Sequence, residues 1–161
     1  KTLENPIVYY YYLKFRFHQT LNKILENLAR DNARQSILIL GRYQHDIDRL
    51  NQNNLLRRVS KNHFCYKHYV KMSIHFLTIH SAKGLGYDQV ILINLENGTY
   101  GFPSCVKNHK LLNVLELSKE NQIFEERRLF YVALTRTKNR VYLCIPYFHK
   151  SKFITELKRL S

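Results

Sequence analysis

Cysteine is scarce in this sequence, with three residues among 161. Cys65, Cys105 and Cys144 are far apart and odd in number, so they suggest neither a disulfide framework nor a zinc cluster. We therefore expect a reducing, cytoplasmic setting. His63 and His68 lie close to Cys65, but three potential ligands without a fourth nearby favour a surface loop over a metal site.

Long apolar runs are also lacking. No stretch approaches the roughly 20 apolar residues that a membrane-spanning helix needs, and nothing resembles a signal peptide. We therefore expect no membrane partner. The length suits one compact domain. Because the sequence begins with Lys1 and not with Met, we expect it to be a piece of a longer protein.

Acidic residues are few relative to basic ones. The chain has 26 Lys and Arg and 12 Asp and Glu, so its formal net charge is 26 − 12 = +14. Hydrophobic residues make up 45%, which places the chain in the globular class. An excess of this size attracts polyanions and makes nucleic acid the first partner to consider. A solvated basic surface, or a fragment whose acidic remainder lies elsewhere, would give the same balance.

Apolar patterning predicts alternating strands and helices. Strands are predicted over residues 7–15, 36–40, 72–79, 89–95 and 140–145, with an irregular basic stretch over 51–71. Helices are predicted over 17–33, from 43 onwards, over 118–134 and over 151–160. The alternation predicts an α/β domain with a mainly parallel central sheet and helices on both faces. Ligands of such sheets gather beyond the carboxyl ends of the strands.

A polar segment follows the predicted strand that ends at Thr78. Its side chains offer hydrogen bonds suited to phosphate oxygens: Thr78, His80, Ser81 and Lys83. Gly84 and Gly86 then let the backbone turn tightly or approach a ligand closely. The alternative is a polar connection between two strands, in which His80 is satisfied locally.

The segment "TIHSAKGLGYDQVIL" (78–92) resembles motif V of the UvrD/Rep-like superfamily 1 helicases, T-x-H-x-x-K-G-L-E-[FY]-D-x-V. The resemblance implies that Thr78 and His80 contact single-stranded DNA. It also implies that Lys83, Gly84 and Gly86 lie on the nucleotide side, where the motif couples DNA to the nucleotide. The family usually has Glu where this chain has Gly86, and that carboxylate can hydrogen-bond the ribose.

An apolar helix with a basic tip follows later in the chain. The segment "EERRLFYVALTRTK" (125–138) resembles motif VI of the same helicases, which contains R-R-L-x-Y-V-[AG]-x-T-R-A-[KR] after acidic residues. The resemblance makes Arg136 the catalytic residue that reaches the γ-phosphate of ATP. A guanidinium suits that role because it is always charged and presents a planar fork to phosphate oxygens. The alternative is a cation that complements the helix dipole. The charges at 125–128 are expected to place the helix and are not assigned to catalysis.

Two further features complete the resemblance. "SILILGRYQ" (36–44) is similar to helicase motif IVa, which implies DNA contacts for Arg42 and Gln44. Only 36 residues separate Gly41 from Thr78, too few for the large domain that UvrD and Rep insert there. The layout therefore resembles the compact helicase IV type.

The phosphate-binding signature G-x-x-x-x-G-K-[ST] is missing, and so is an Asp-Glu pair after an apolar strand. The resemblance thus implies that residues 1–161 are a single RecA-like three-layer domain, the C-terminal 2A half of an ATP-dependent DNA helicase. ATP and Mg²⁺ would be bound mainly by an N-terminal domain outside this sequence, with single-stranded DNA as the other ligand. We expect the isolated chain to be inactive as an ATPase. The alternative is a non-catalytic basic module that binds nucleic acid.

Overall fold

A computed structural model describes residues 6–13, 15–32, 34–52, 54–106 and 119–160. These residues form one seven-stranded sheet in the spatial order β1-β7-β6-β2-β5-β4-β3. The strands are β1 (Ile7–Tyr12), β2 (Ile37–Gly41), β3 (Leu56–Ser60), β4 (His63–Tyr66), β5 (Tyr69–Thr78), β6 (Tyr87–Leu92) and β7 (Thr137–Pro146). The helices are α1 (Phe17–Asn32), α2 (Asp48–Asn51), α3 (Lys119–Leu134) and α4 (Lys152–Leu160).

The five strands β1, β7, β6, β2 and β5 are parallel, so their carboxyl ends share one edge of the sheet. At this carboxyl edge Gly41 of β2 is the register partner of Thr78 of β5. At the opposite, amino edge Tyr87 of β6 pairs with Thr137 of β7. The two edges define the positions of the candidate site residues.

Helices cover both faces of the parallel strands. One face packs on α1 through residues such as Leu21 and Leu25, and the other packs on α3 and α4 through residues such as Phe130 and Phe153. In β2 every residue is buried, because Ile37 and its alternate neighbours face α1 while the intervening leucines face α3. The predicted three-layer α/β architecture with a mainly parallel sheet is confirmed.

The stretch over 51–71, predicted to be irregular, forms ordered strands instead. β3, β4 and the first half of β5 make an antiparallel extension of the sheet. The prediction that His63 and Cys65 lie in a surface loop was therefore wrong, since both lie in β4. In β4 the buried Phe64 and Tyr66 alternate with His63 and Cys65. Because the other face of the strand carries polar residues, this two-residue alternation was not recognised in the sequence.

Other boundaries shift by smaller amounts. The helix predicted from 43 is a 3₁₀ turn, Gln44–Ile47, followed by the single turn of α2. β7 begins three residues earlier than predicted, and β1 ends at Tyr12. Residue 14 of the first predicted strand and residues 33 and 118 of the predicted helices lie outside the described residues. No helix among the described residues is long and apolar enough to cross a membrane.

Candidate functional site

The segment over 79–86 connects β5 to β6 and runs from the carboxyl edge of the sheet to its amino edge. Ile79 and Ala82 anchor it, because both are fully buried against the face that carries α3. Three backbone hydrogen bonds shape it: the amide of Ile79 donates to Gly41 O at 3.1 Å, that of Ala82 to Thr78 O at 3.0 Å, and that of Leu85 to Ala82 O at 3.1 Å. One short segment therefore joins the two edges.

At the carboxyl edge the segment begins with a hydroxyl cluster. The Thr78 and Ser81 hydroxyl oxygens lie 2.9 Å apart, and the backbone amide of Ser81 donates to Thr78 Oγ1 at 3.3 Å. His80 next to them is exposed. Its pKa is lowered by partial burial and by the nearby charges of Arg42 and Lys83. At neutral pH the imidazole is therefore uncharged and presents one donor and one acceptor nitrogen.

Arg42 leaves the end of β2 at the same edge, and it has a carboxylate partner. Its Nη2 lies 2.6 Å from Glu126 Oε1 and its Nε lies 3.0 Å from Oε2, so the pair is bidentate. The two side chains are only 14% and 6% exposed. Burial alone would lower the pKa of Arg42, but the hydrogen bonds and charge of Glu126 outweigh it and raise that pKa. Gln44, two residues further on, is exposed.

At the amino edge Arg136 lies on the turn between α3 and β7. Its Nε donates to Val132 O at 3.0 Å, its Nη2 to Thr135 Oγ1 at 3.2 Å and its Nη1 to Leu85 O at 3.5 Å. All three acceptors are neutral. In the part of the chain that the structure describes, no carboxylate pairs with Arg136. The side chain is therefore held in place while its charge stays uncompensated.

The glycines of the connecting segment lie beside this arginine. The amide of Tyr87, directly after Gly86, donates to Arg136 O at 3.0 Å. A Cβ added at Gly86 would meet only Lys138 Cε, at 3.7 Å. Gly84 has φ +80°, a left-handed conformation that favours glycine over residues with a Cβ.

The structure thus separates the predicted site residues into two sets. The register gives the distance between the edges. On β2, Gly41 at the carboxyl edge lies four residues beyond Ile37, and on β6 the partner of Ile37, Gln89, lies two residues beyond Tyr87 at the amino edge, so the edges are six residues apart. Six residues of strand correspond to about 20 Å between the edges. The carboxyl-edge set has Arg42, Gln44, Thr78 and His80, with the charge of Lys83 nearby; the amino-edge set has Gly84, Gly86 and Arg136.

Two carboxylates support these sets: Glu126, which was expected only to place its helix, and Asp88, which was given no role from the sequence. Glu126 accepts hydrogen bonds from Arg42 and from the amide of Ser104 at 2.9 Å, so it ties α3 to β2 and to the chain after β6. Asp88 Oδ2 accepts from the amide of Ser36 at 2.9 Å and from its hydroxyl at 2.7 Å, and these bonds lower the pKa of Asp88. The sequence signal for Asp88 was its place in the motif, and for Glu126 it was also its place among the charges early in the predicted helix.

Comparison with known proteins gives a family match. Residues 43–147 match the family model described as "UvrD-like helicase C-terminal domain". This match confirms the resemblance inferred from the two motifs.

Several curated proteins are similar to the chain. DNA helicase IV of Escherichia coli K12 is 35% identical over 143 residues, which cover 88% of this chain and 19% of that protein. DNA helicase II of the same strain is 33% identical over 95 residues, which cover 53% of this chain and 12% of that protein. ATP-dependent DNA helicase PcrA of Bacillus subtilis is 38% identical over 73 residues, which cover 45% of this chain and 8% of that protein. The chain therefore spans about a fifth of the first of these relatives and less of the others.

Proposed function

Because the chain belongs to the family of UvrD-like helicase C-terminal domains, we propose that it is one half of an ATP-dependent DNA helicase motor. Its carboxyl edge contacts single-stranded DNA, and its amino edge presents Arg136 to the γ-phosphate of ATP. ATP and Mg²⁺ are held mainly by an N-terminal RecA-like domain of the same protein. The nucleotide then lies at the interface between the two domains.

The observation that carries this proposal is the state of Arg136. Its guanidinium is oriented by three neutral acceptors, and no described carboxylate neutralises it. A terminal phosphate would supply the missing anion. Charge builds up on the transferring phosphoryl group, so an arginine supplied there accelerates hydrolysis by about 10³–10⁵-fold. The dipole of α3 explains a cation at this helix end, but it does not explain three contacts that orient the side chain.

The DNA side of the proposal relies on neutral donors. The Thr78 hydroxyl and the uncharged imidazole of His80 offer hydrogen bonds to phosphate or sugar oxygens. The exposed Lys83 adds charge to this set. Arg42 and Gln44 flank it, but Glu126 already balances the charge of Arg42. We therefore assign Thr78 and His80 the larger DNA contribution.

Coupling between the ligands follows from the connecting segment over 79–86. Its first residues belong to the DNA set, while Leu85 accepts a hydrogen bond from Arg136 through its carbonyl. A shift of the segment on DNA binding would move one of the three groups that orient Arg136. Lys83 and Gly84 lie between these two contacts, and Gly86 follows Leu85 at the nucleotide end.

The test is an Arg136→Ala substitution in the protein that joins this chain to its ATP-binding domain. We expect DNA-stimulated ATP hydrolysis to fall by about 10³-fold or more, while affinity for single-stranded DNA stays within about twofold of the parent. The matched control is Arg128→Ala, because Arg128 is exposed on α3, the helix before Arg136, and among the described residues its ion pair is with Glu125 alone. Equal losses of hydrolysis and DNA affinity for Arg136→Ala would contradict the proposal.

The second candidate is a basic module that binds nucleic acid without nucleotide turnover. The net charge of +14 favours it, and so does the missing phosphate-binding signature. Both candidates predict DNA binding that weakens with salt. They differ once the chain is joined to an ATP-binding domain, since only the motor requires Arg136 for hydrolysis. Clean turnover of ATP by the isolated chain would contradict the half-motor proposal.

A further inference from the structure

Positive charge is concentrated in one acid-free stretch. Between Asp48 and Asp88 there is no Asp or Glu, while seven Lys and Arg occur. The remaining basic residues number 26 − 7 = 19, so the rest of the chain carries 19 − 12 = +7. Half of the net charge of +14 therefore comes from residues 49–87.

Five of these seven basic residues lie on residues 56–71, which we call the basic extension. It comprises β3, β4, the two turns that flank β4 and the start of β5. All five are exposed: Arg57, Arg58, Lys61, Lys67 and Lys71. Within the described residues none of them forms an ion pair with a carboxylate. Of the five, Arg58 is held by hydrogen bonds within its own turn, since it donates to Ser60 O at 3.2 Å and to Lys61 O at 2.6 Å.

Two of the charges, those of Lys61 and Lys67, lie in the turns at opposite ends of β4. Lys61 lies in the turn before β4, close to Arg58, whose register partner is Phe64. Lys67 lies in the turn after β4, and Arg57 lies near it because Arg57 pairs with Cys65. Lys67 lies six positions after Lys61, which corresponds to about 20 Å along an extended strand.

Protection of the edge strand explains only part of this pattern. Lysine and arginine on an edge strand discourage pairing with another sheet, and β3 is the edge here. Lys67 and Lys71, however, lie beyond β4 and do not border the free edge of β3. Their charge needs a different explanation.

We propose that the basic extension binds the phosphate backbones of duplex DNA, in addition to the single-stranded site at Thr78 and His80. A major groove is about 12 Å wide and admits a two-stranded ribbon, so cations about 20 Å apart reach the backbones on both sides of it. Single-strand sites rely on exposed rings that stack on bases. On the extension Tyr69 is the one exposed Phe, Tyr or Trp ring, and the exposed imidazole of His68 lies beside it in sequence.

The position of the extension fits a junction between double- and single-stranded DNA. β5 starts in the extension at Tyr69 and ends at Thr78, so one strand of ten residues spans about 30 Å between the two surfaces. The inference does not depend on Arg136 or on ATP. Failure of the nucleotide proposal would leave it intact.

The test compares two quadruple variants of this chain with equal net charge. The extension variant carries Arg57→Gln, Lys61→Gln, Lys67→Gln and Lys71→Gln, and it keeps Arg58 because that side chain bonds the turn. The control variant carries Lys23→Gln, Lys150→Gln, Lys152→Gln and Arg159→Gln, all exposed and outside the extension. Circular dichroism and urea unfolding check that both variants fold. If the extension variant does not fold, DNA affinity is compared with the single variant Lys67→Gln instead.

The readout is fluorescence anisotropy with a blunt duplex of two helical turns and with oligothymidylate of equal length, across a salt series. We expect the extension variant to lose about tenfold or more in duplex affinity, and the slope of log affinity against log salt to fall by about 3. The control should stay within about threefold of the parent, and Lys67→Gln alone should lower the slope by about 1. Equal losses in the two quadruple variants, or a loss for oligothymidylate as large as for the duplex, would overturn the proposal.

Discussion

Two arginines at opposite edges of the sheet differ in their electrostatic surroundings. Arg42 at the carboxyl edge is 14% exposed and makes a bidentate ion pair with Glu126. Arg136 at the amino edge touches two carbonyl oxygens and a hydroxyl. The first arginine joins two elements of the fold. The second is positioned but remains uncompensated, which is the state a phosphate-binding arginine needs.

The comparison shows why motif membership alone does not assign a role. Both arginines belong to segments that resemble helicase motifs, and both were predicted to contact a ligand. A phosphate at Arg42 has to compete with a buried carboxylate, whereas a phosphate at Arg136 competes only with neutral acceptors. The partner, more than the residue type, distinguishes the two positions.

The largest effect is expected when Arg42 is made to resemble Arg136. Glu126→Gln leaves the Arg42 guanidinium partly buried without its anion, which should lower the free energy of unfolding by about 3 kcal/mol. Urea denaturation of the chain measures it. The matched control is Glu125→Gln, since Glu125 and Arg128 are each 58% exposed in their ion pair and such pairs contribute about 0.5 kcal/mol. Similar losses for the two variants would show that the Arg42 pair has no special structural role.

A smaller effect tests the carboxylate that anchors the amino edge. Asp88→Asn weakens two hydrogen bonds from Ser36 and should cost about 1.5 kcal/mol at neutral pH. Folding lowers the pKa of Asp88, so its stabilisation is present above the unfolded pKa of about 3.9 and is lost as the pH falls through the folded value. Urea midpoints of parent and variant should therefore converge in acid. The control is Asp31→Asn, at an exposed site on α1; a difference that persists unchanged in acid would contradict the assignment.

The smallest effect distinguishes the two glycines beside Arg136. Gly84→Ala forces a Cβ into a left-handed conformation at φ +80°, so we expect a loss of about 1 kcal/mol in unfolding free energy. Gly86→Ala has room for its Cβ and should change stability by no more than about 0.5 kcal/mol. Thermal or urea unfolding of both variants tests this. A larger loss for Gly86→Ala would mean that the site depends on a glycine there and does not accept the Glu that is usual in the family.

Periodic elements were predictable from the sequence, whereas the arrangement of the site was not. Apolar spacing predicted α1, α3 and the buried strand β2, because burial on one or both faces leaves a repeating pattern. β3 and β4 escaped prediction, since β3 exposes four of its five residues and in β4 only Phe64 and Tyr66 alternate inward.

The ion pair between Arg42 and Glu126 joins residues 84 apart in the chain, and no local pattern predicts such a contact. The rule that ligands lie beyond the carboxyl ends of strands would place a ligand-binding residue at the carboxyl edge, whereas Arg136 lies at the amino edge. A helix that returns across a parallel sheet places its last residues at the amino edge. The motif resemblance predicted a role for Arg136, and its position at that edge became visible only in the structure.

We propose that single-stranded DNA and nucleotide phosphate use opposite edges of one sheet. The most direct test of this proposal is the change in backbone amide chemical shifts of the ¹⁵N-labelled chain during titration with oligothymidylate. We predict the largest changes at Arg42, Gln44 and Thr78–Ser81, with little change at Arg136 and Lys138. Changes that are largest at Arg136 and Lys138 would place the single strand at the amino edge and contradict the account.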